Sequence, residues 1–363
     1  MSLVPAARAA LDDAEILRAG DPRHMLDAIA SLGTQLRDGF VAGRSTPALP
    51  SAEGVRAVVV CGMGGSGISG DVVRAAFRDH LPVPVVVVKG YALPAFCDGD
   101  TLVFASSFSG NTEETVAAYT QAVARGCRVV AAASGGELAA LAEGDDVPFV
   151  PIPDVVSMPR AAIGWLAAAP IGVLAAVGLL PGVDEEIHSA AATLDGLADG
   201  LGPDRPAESN DAKALARWIG DRLPVIWGTE GVGEAAALRW KTQFNENAKV
   251  PAFCSVLPEL DHNDVEGWHE GSGGRFAVIV LRHSGEPART EARVRATIDA
   301  LGGSGLDVRD VHAPTGPPLA ALFGLIALGD FTSTYAALAR GIDPSPVPVL
   351  TALKRRLLED RET

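Results

Sequence analysis

Short runs of β-branched residues alternate with helical stretches along most of the chain. The runs Val58-Val59-Val60 and Val85–Val88 are continuously apolar and do not alternate with polar residues. A strand that is apolar on both faces is buried on both faces, which is typical of a parallel sheet covered by helices. The pattern therefore predicts an α/β fold with parallel strands.

The alternation occurs twice, and 363 residues suffice for two domains of ordinary size. The predicted strands are Ala57–Cys61, Pro84–Val88, Thr101–Ala105, Arg128–Ala132, Val147–Ile152, Val225–Trp227, Ala252–Val256, Phe276–Leu281 and Val308–Val311. The predicted helices between and after them are Val72–Phe77, Glu114–Arg125, Glu137–Ala142, Glu234–Asn245, Ala288–Leu301, Leu319–Leu338 and Val349–Leu358. We expect an N-terminal segment of one or two helices over 1–50, a first unit over 51–182, a helical linker over 183–206, and a second unit with a C-terminal helix over 207–363.

The charge balance excludes one class of partner. The chain has 30 Lys and Arg against 45 Asp and Glu, a formal net charge of −15, and no basic run that could follow a nucleic-acid backbone. We therefore expect no nucleic-acid partner. A phosphate group would have to be bound by a local site built from backbone N–H groups.

Two further features predict a soluble, cytoplasmic protein. The stretch Ala161–Leu180 has no charge and is long enough to cross a bilayer. Its Ala and Gly residues and its central Pro170 suit close helix packing inside a soluble protein better than contact with lipid. The four cysteines contain no CxxC pair, which indicates reduced thiols: Cys61, Cys97, Cys127 and Cys254.

A glycine-rich loop follows the first predicted strand. The run Gly62-Met63-Gly64-Gly65-Ser66-Gly67 satisfies the dinucleotide pattern GxGxxG between a strand and a helix. A dinucleotide site also needs a carboxylate near the end of the next strand, where this chain has Lys89. Lys89 would suit a 2′-phosphate, so an NADP site stays open, as does a tight turn without a ligand.

A second polar loop follows the third predicted strand and opens another helix. Ser107, Ser109 and Thr112 lie in Ser106-Ser107-Phe108-Ser109-Gly110-Asn111-Thr112. Hydroxyls and helix N-terminal N–H groups bind a phosphate monoester without lysines. N-capping by Ser109 or Thr112 is the alternative, but it accounts for only one of the hydroxyls.

Together with a third motif, these loops resemble a known family. SFSGNTEE (Ser107–Glu114) is similar to the phosphosugar-binding signature of sugar isomerase (SIS) domains. With the glycine loop and Phe244-Asn245-Glu246-Asn247-Ala248-Lys249, it resembles the bifunctional phosphoglucose/phosphomannose isomerases from about Val58 to the last helix.

The resemblance implies two SIS domains, each a parallel sheet flanked by helices in flavodoxin-like layers. It also implies a homodimer with the active site at the subunit interface. The implied reaction interconverts glucose 6-phosphate, and with it possibly mannose 6-phosphate, with fructose 6-phosphate through an enediolate. Such a reaction belongs to glycolysis and gluconeogenesis and needs neither a metal nor a redox cofactor.

Each chemical task of such an isomerase has a candidate residue. Glu246 matches the family's catalytic base, and a base is most effective when it titrates near the working pH. Arg160 matches the arginine that faces the enediolate oxygen, where a fixed cation stabilises developing charge. From local sequence alone, Arg160 could equally bind a loop carbonyl or an interface carboxylate.

Two further residues are carried over from the family. His262 matches the histidine that opens the sugar ring, with Asp261 and Asp264 beside it to tune its protonation. Lys354 matches the lysine that approaches the ring, although a solvated helix face explains it equally well. Family members have a hydroxyl residue shortly before this helix that accepts the mannose epimer, and Pro346-Val347-Pro348-Val349 has none.

The implied site thus has Glu246, His262, Arg160 and Lys354 as catalytic residues. Its phosphate-binding residues are Gly64, Gly65, Ser66, Ser107, Ser109 and Thr112. A non-catalytic sugar-phosphate sensor is the main alternative, since it would need the serine loop but neither Glu246 nor His262. An NADP-dependent oxidoreductase is the other alternative.

Overall fold

Two parallel sheets, each covered by helices, form the fold in a computed structural model that describes residues 10–156 and 158–359. The first nine residues of the predicted segment 1–50, residue 157 within the first predicted unit, and the last four residues of the predicted unit 207–363 lie outside the described residues.

The strands follow one another in parallel register. They are β1 (Ala57–Cys61), β2 (Val85–Val88), β3 (Thr101–Ser106), β4 (Arg128–Ala133), β5 (Phe149–Pro151), β6 (Leu223–Thr229), β7 (Phe253–Leu257), β8 (Phe276–Arg282) and β9 (Asp307–His312). The first sheet has the order β2-β1-β3-β4-β5 and the second the order β7-β6-β8-β9. The first order is that of flavodoxin-like proteins, which bind ligands at the carboxyl ends of the central strands.

The α-helices cover both faces of each sheet. They are α1 (Ala14–Gly20), α2 (Met25–Ala30), α3 (Leu32–Arg44), α4 (Gly64–Ala76), α5 (Glu113–Ala124), α6 (Gly136–Gly144), α7 (Ile163–Ala176), α8 (Asp184–Leu201), α9 (Asp211–Ile219), α10 (Val232–Gln243), α11 (Ala288–Ala300), α12 (Pro318–Leu338) and α13 (Pro348–Glu359). The fold class predicted from the sequence is confirmed.

The structure differs from the sequence prediction at three helices. The N-terminal segment has three short helices among its described residues, α1 to α3, where one or two were predicted. Helix α4 begins at Gly64 rather than near Val72, because the glycine loop itself forms the first helical turn. Helix α10 ends at Gln243 and continues as a π-helical turn over Phe244–Ala248.

Two apolar helical stretches form the interior of the fold. Pro159–Ala176 and Pro318–Leu338 are long and apolar enough to cross a membrane, but 83% and 94% of their apolar windows are buried within the protein. The first stretch contains α7, which packs along α3, and the second is α12, which packs on α8, α9 and α10. Their apolar character is therefore accounted for by burial in a core, as expected for Ala161–Leu180.

Helices α3 and α7 approach closely because small residues line their contact. A Cβ added to Gly43 would lie 2.1 Å from the Ala169 carbonyl oxygen, and one added to Gly39 would lie 2.7 Å from Trp165 Cα. Both obstacles are backbone atoms, which cannot rotate away. This contact holds the N-terminal helices against the stretch that carries Arg160.

We predict that Gly43→Ala lowers the free energy of unfolding by about 1–3 kcal/mol, the usual cost of overpacking. The matched control is Gly196→Ala on α8, because a Cβ there meets nothing within 4 Å. Since alanine is the better helix former, the control should be neutral or stabilise by about 0.5–1 kcal/mol. Thermal and urea unfolding measure both variants. Equal effects of the two substitutions would contradict the close packing of α3 on α7.

Candidate active site

The glycine loop and the serine loop meet at the carboxyl edge of the first sheet. They follow β1 and β3, which are neighbouring strands. The backbone N–H of Phe108 donates a hydrogen bond of 3.2 Å to the buried Ser66 hydroxyl, which joins the loops directly. Gly64 has φ +53°, a left-handed conformation that suits glycine at this turn.

Hydroxyl groups of the serine loop bind to each other and to the loop backbone. The Ser107 and Thr112 hydroxyls lie 2.8 Å apart, and the Ser107 hydroxyl accepts from Gly110 N–H at 3.1 Å. Thr112 occupies the N-cap position of α5, but its side chain makes no capping bond. N-capping therefore does not explain Thr112. The Ser109 hydroxyl, in an exposed residue, accepts from Asn111 N–H at 3.3 Å.

Arg160 links this edge to the second unit. It lies in the 3₁₀ turn Pro159–Ala162, and a Cβ added to Gly65 would lie 3.3 Å from Arg160 Cα. The guanidinium is buried, and its Nε donates to Asn247 Oδ1 at 2.7 Å. Its Nη2 donates to the carbonyls of Pro344 and Ser345 at 2.8 and 2.9 Å. The loop-carbonyl role left open by the sequence is thus real.

Arg160 also contacts the predicted base. Its Nη1 lies 3.4 Å from Glu246 Oε2, and the side chains are 4% and 27% exposed respectively. Glu246 lies in the π-helical turn after α10 and faces a cleft of about 690 Å³. The cleft is lined by Thr242, Asn245, Glu246, Lys249, Val250, Pro251 and the segment 347–350. The carboxylate is therefore paired with a buried cation and still open to a ligand.

The electrostatics of the site reflect its burial. Burial lowers the pKa of the Arg160 guanidinium, and the Glu246 carboxylate opposes that shift. Burial also lowers the pKa of the Lys249 ammonium, with a further contribution from Arg160. Lys249 has φ +57° and donates to the carbonyls of Glu246 and Pro344, so that it closes the turn carrying Glu246.

The other two predicted catalytic residues lie away from this pair. His262 ends a 3₁₀ turn after β7 and is exposed, and its imidazole makes no hydrogen bond to any described residue. Its neighbours are engaged elsewhere: Asp261 accepts from Arg293 and Thr297, and Asp264 accepts from Ser255. Lys354 is exposed on α13, one turn after Leu350 of the cleft wall. A single chain therefore brings together Arg160, Glu246 and the two loops, but not His262.

Several residues in contact with Arg160 were missed by sequence reasoning. Asn247 and Lys249 were within the quoted motif but had no assigned role. Arg239 and Asp330 form a buried ion pair, and Arg239 also donates to the Arg160 carbonyl at 2.7 Å. A signal was present in the sequence, because Asp330 is the single charged residue of the apolar helix α12.

The structure also bears on cofactors and metals. Lys89, the residue that kept an NADP site open, is paired with the buried carboxylate of Asp71 on α4. Over residues 10–156 and 158–359, no group of three or more His, Cys, Asp or Glu side chains could hold a metal ion. The four cysteines are free thiols.

Comparisons with known proteins identify the family. Residues 54–147 match the family model of the SIS domain, and residues 208–357 match that of the bacterial phospho-glucose isomerase C-terminal SIS domain. A bifunctional phosphoglucose/phosphomannose isomerase of Caldicellulosiruptor bescii is 36% identical over 340 residues, which cover 93% of this chain and 100% of that protein. The chain belongs to the bifunctional phosphoglucose/phosphomannose isomerase family. The predicted family is confirmed.

Further relatives agree with this family assignment. A protein of the same description from Thermoplasma acidophilum is 33% identical over 301 residues, covering 83% of this chain and 89% of that one. A hypothetical protein of Thermus thermophilus, known from its crystal structure, superposes with a TM-score of 0.74 over 97% of this chain and 94% of its own, at 17% identity. That superposition supports the fold of this phosphoglucose/phosphomannose isomerase family member.

The four strands of the second sheet of this isomerase family member repeat the order β2-β1-β3-β4 of the first sheet, but the corresponding edge is occupied. The loops after β6 and β8 correspond to the glycine and serine loops. There the Glu286 carboxylate accepts from Thr229 Oγ1 at 2.7 Å, from His283 N–H at 2.9 Å and from Arg282 Nη2 at 2.7 Å. The protein's own carboxylate thus takes the backbone and side-chain donors at this edge.

We predict that Glu286 contributes stability that depends on pH. Burial opposes its ionisation, but the bonds from Arg282, Thr229 and His283 prevail and lower its pKa from the ordinary value of 4.5. Because the folded-state pKa is the lower one, the contribution is complete above about pH 4.5 and is lost as pH falls through the folded-state pKa. Glu286→Gln should therefore lower the unfolding free energy at pH 7 by about 3 kcal/mol.

The difference in stability between Glu286→Gln and the unmodified protein should become smaller at acid pH. Glu291→Gln is the control, because it breaks the exposed Arg295 pair on the neighbouring helix and should leave Tm unchanged. Tm measured from pH 3 to 7 checks both variants. A Glu286→Gln effect that is constant over this range would show that ionisation of Glu286 does not contribute.

Proposed function

We propose that Arg160 and Glu246 form the catalytic centre of an aldose–ketose isomerase acting on hexose 6-phosphates. The predicted enzyme class is borne out by the relatives, which are bifunctional phosphoglucose/phosphomannose isomerases. The roles of individual residues are our proposal. The observation that carries it is the 3.4 Å approach of Arg160 Nη1 to Glu246 Oε2, beside an open cleft and next to the glycine loop.

The geometry suits proton transfer between neighbouring carbons. Glu246 removes the proton from C2 of the open-chain aldose and returns it to C1, while a proton passes from O2 to O1. Negative charge develops on the oxygen in the enediolate, and the Arg160 guanidinium stabilises it. Because the guanidinium is fixed before substrate arrives, no reorganisation is needed at that step. This chemistry is completed by side chains alone.

The phosphate is proposed to bind at the joined edge of the two loops. Gly64, Gly65 and Ser66 supply one side, and Ser107, Ser109 and Thr112 the other. This edge also contains the first turns of α4 and α5, whose N–H groups favour an anion. Gly65 lies against Arg160, so a phosphosugar held at this edge can extend toward Glu246. A non-catalytic sensor would need only the two loops that bind the phosphate.

Glucose 6-phosphate is the proposed substrate, with fructose 6-phosphate as product. Mannose 6-phosphate is a second proposed substrate, because the relatives are bifunctional phosphoglucose/phosphomannose isomerases. The cleft wall before Lys354 consists of Val347, Pro348, Val349 and Leu350, none of which has a hydroxyl. Ser345 lies two residues before this wall. It is buried, and its backbone carbonyl accepts a hydrogen bond from Arg160. We propose that glucose 6-phosphate is the preferred epimer.

We propose that two chains complete the site. His262 has no partner among the described residues of its own chain, and Lys354 is exposed. Helix α13, which begins at the cleft wall, has a row of exposed apolar side chains: Val349, Leu350, Leu353 and Leu357. Such a row favours burial against another copy. The proposed homodimer is cytoplasmic, and its units keep the predicted boundaries of 1–50, 51–182, 183–206 and 207–363.

The phosphate site predicts the effect of losing a hydroxyl. Thr112→Val should weaken binding of fructose 6-phosphate by about 1.5–3 kcal/mol, the range for hydrogen bonds to charged groups. Calorimetry in a Glu246→Gln background measures binding without turnover. Thr120→Val, which removes an exposed hydroxyl from the same helix, is the control and should bind normally. Unchanged binding in both Thr112→Val and Ser109→Ala would place the phosphate elsewhere.

The catalytic base and the dimer are tested together. Glu246→Gln keeps the side-chain shape but cannot accept the C2 proton, so turnover should fall at least ~10²-fold with a smaller effect on binding. If His262 acts in the neighbouring subunit's site, mixing Glu246→Gln with His262→Ala chains rebuilds one intact site per mixed dimer. Activity should return as subunits exchange, monitored by following product formation by NMR.

The control for mixing is a pair of differently tagged unmodified chains, which reports exchange independently. Demonstrated exchange without recovered activity would show that His262 serves its own chain's site or none. Full activity of Glu246→Gln alone would refute the proposed base.

A further inference from the structure

Two nitrogens of the Arg160 guanidinium are held by neutral acceptors, and the third faces Glu246. Nε is bound by Asn247, and Nη2 by the carbonyls of Pro344 and Ser345. Nη1 is the nitrogen that approaches Glu246, at 3.4 Å. All acceptors other than Glu246 are neutral, so the positive charge is fixed in direction without being cancelled.

The amide of Asn247 can take only one orientation. Its Nδ2 donates to the Ser333 hydroxyl at 3.0 Å and approaches Gln243 Oε1 at 3.3 Å and the Thr334 hydroxyl at 3.4 Å. The Gln243 amide can itself turn, so it does not fix the orientation of Asn247. Both hydroxyls give their own protons to the Asp330 carbonyl, at 3.0 and 2.8 Å, so toward Asn247 they can only accept. Turning the amide around would place Oδ1 against the two hydroxyl oxygens and Nδ2 against the Arg160 Nε–H donor. The hydroxyls on α12 therefore fix the oxygen that binds Arg160.

A second contact fixes the backbone of Arg160. Arg239 donates to both Asp330 oxygens, at 3.0 and 2.6 Å, and to the Arg160 carbonyl at 2.7 Å. Arg239 and Asp330 are each 1% exposed. Asp330 thus supports both contacts to Arg160. Its carboxylate binds Arg239, and its backbone carbonyl accepts the protons of the Ser333 and Thr334 hydroxyls.

We propose that Asn247, Ser333 and Thr334, together with the Arg239–Asp330 pair, are positioning residues that aim Arg160 at the reacting oxygen. This inference rests on the proposed roles of Arg160 and Glu246. The alternative is a buried polar network that only stabilises the fold. Positioning predicts a loss of turnover with substrate binding unchanged, whereas a network that only stabilises the fold does not.

The test removes the two hydroxyl acceptors of Asn247 and leaves Arg160, Glu246 and Gln243 in place. Ser333→Ala combined with Thr334→Val keeps side-chain volume but frees the Asn247 amide to turn. We expect kcat to fall about 10-fold or more, as misalignment of a catalytic group does, while KM changes less than about 2-fold. Thr334→Ser alone, which retains the hydroxyl, should keep the normal rate.

Thr332→Val is the matched control. It removes a buried hydroxyl from the same helix, one that bonds the Leu328 carbonyl at 2.6 Å and does not touch Asn247. Its kcat should be normal. If Thr332→Val and the double variant lose activity equally, the network acts on helix packing and the proposal fails.

Rates scaled to the folded fraction provide a readout that general destabilisation does not move. Circular dichroism measures that fraction at the assay temperature, and scaling restores the kcat of a variant that is only less stable. The scaled kcat should stay low in the double variant and be normal in Thr332→Val. Should the double variant fail to fold, Ser333→Ala alone is measured in the same way.

The outcomes separate this inference from the proposed function. If Glu246→Gln and Arg160→Lys are inactive while the double variant matches the unmodified protein in scaled kcat, positioning by α12 is refuted and the catalytic pair stands. If Glu246→Gln is fully active, the catalytic pair itself is wrong.

Discussion

Burial of the Arg160 guanidinium between the two halves of the chain determines how the site is assembled. A buried cation needs its hydrogen bonds satisfied, and here the acceptors come from the second half: Asn247, Glu246 and the carbonyls of Pro344 and Ser345. The glycine and serine loops belong to the first sheet, and Glu246 lies in the turn after α10. Arg160 is the residue that contacts both, so separating the halves would leave a buried charge without partners.

The carboxyl edges of the two sheets carry different polar side chains at corresponding loops. In the first, the Ser107 hydroxyl bonds to the Thr112 hydroxyl and accepts from Gly110 N–H. In the second, the Glu286 carboxylate is bound by Thr229, His283 and Arg282. Parallel sheets provide loops at the carboxyl edge of every strand, but only the side chains of those loops decide whether a ligand can enter.

The sequence predicted elements and loops well, and contacts across the chain poorly. The Val runs of β1 and β2 and the serine loop are local patterns whose meaning follows from periodicity and spacing. The bond between Arg160 and Asn247 spans 87 residues, and no local pattern encodes it. The π-helical turn at Glu246 also escaped prediction, because its sequence continues the helical pattern of α10. Asp330 in an apolar helix marked a buried charge but not its partner.

The negative net charge of the protein explains why the fixed orientation of Arg160 and of the loop groups matters. With a formal net charge of −15, the long-range field opposes the approach of a phosphosugar dianion. Recognition must then come from short-range groups that are already oriented: backbone N–H groups at two helix starts, loop hydroxyls and one buried guanidinium. The Arg160 side chain is 4% exposed, and a fixed charge removed from water acts more strongly than one at the surface. The cost of burying Arg160 is therefore tied to the same feature that would let its charge act in the proposed reaction.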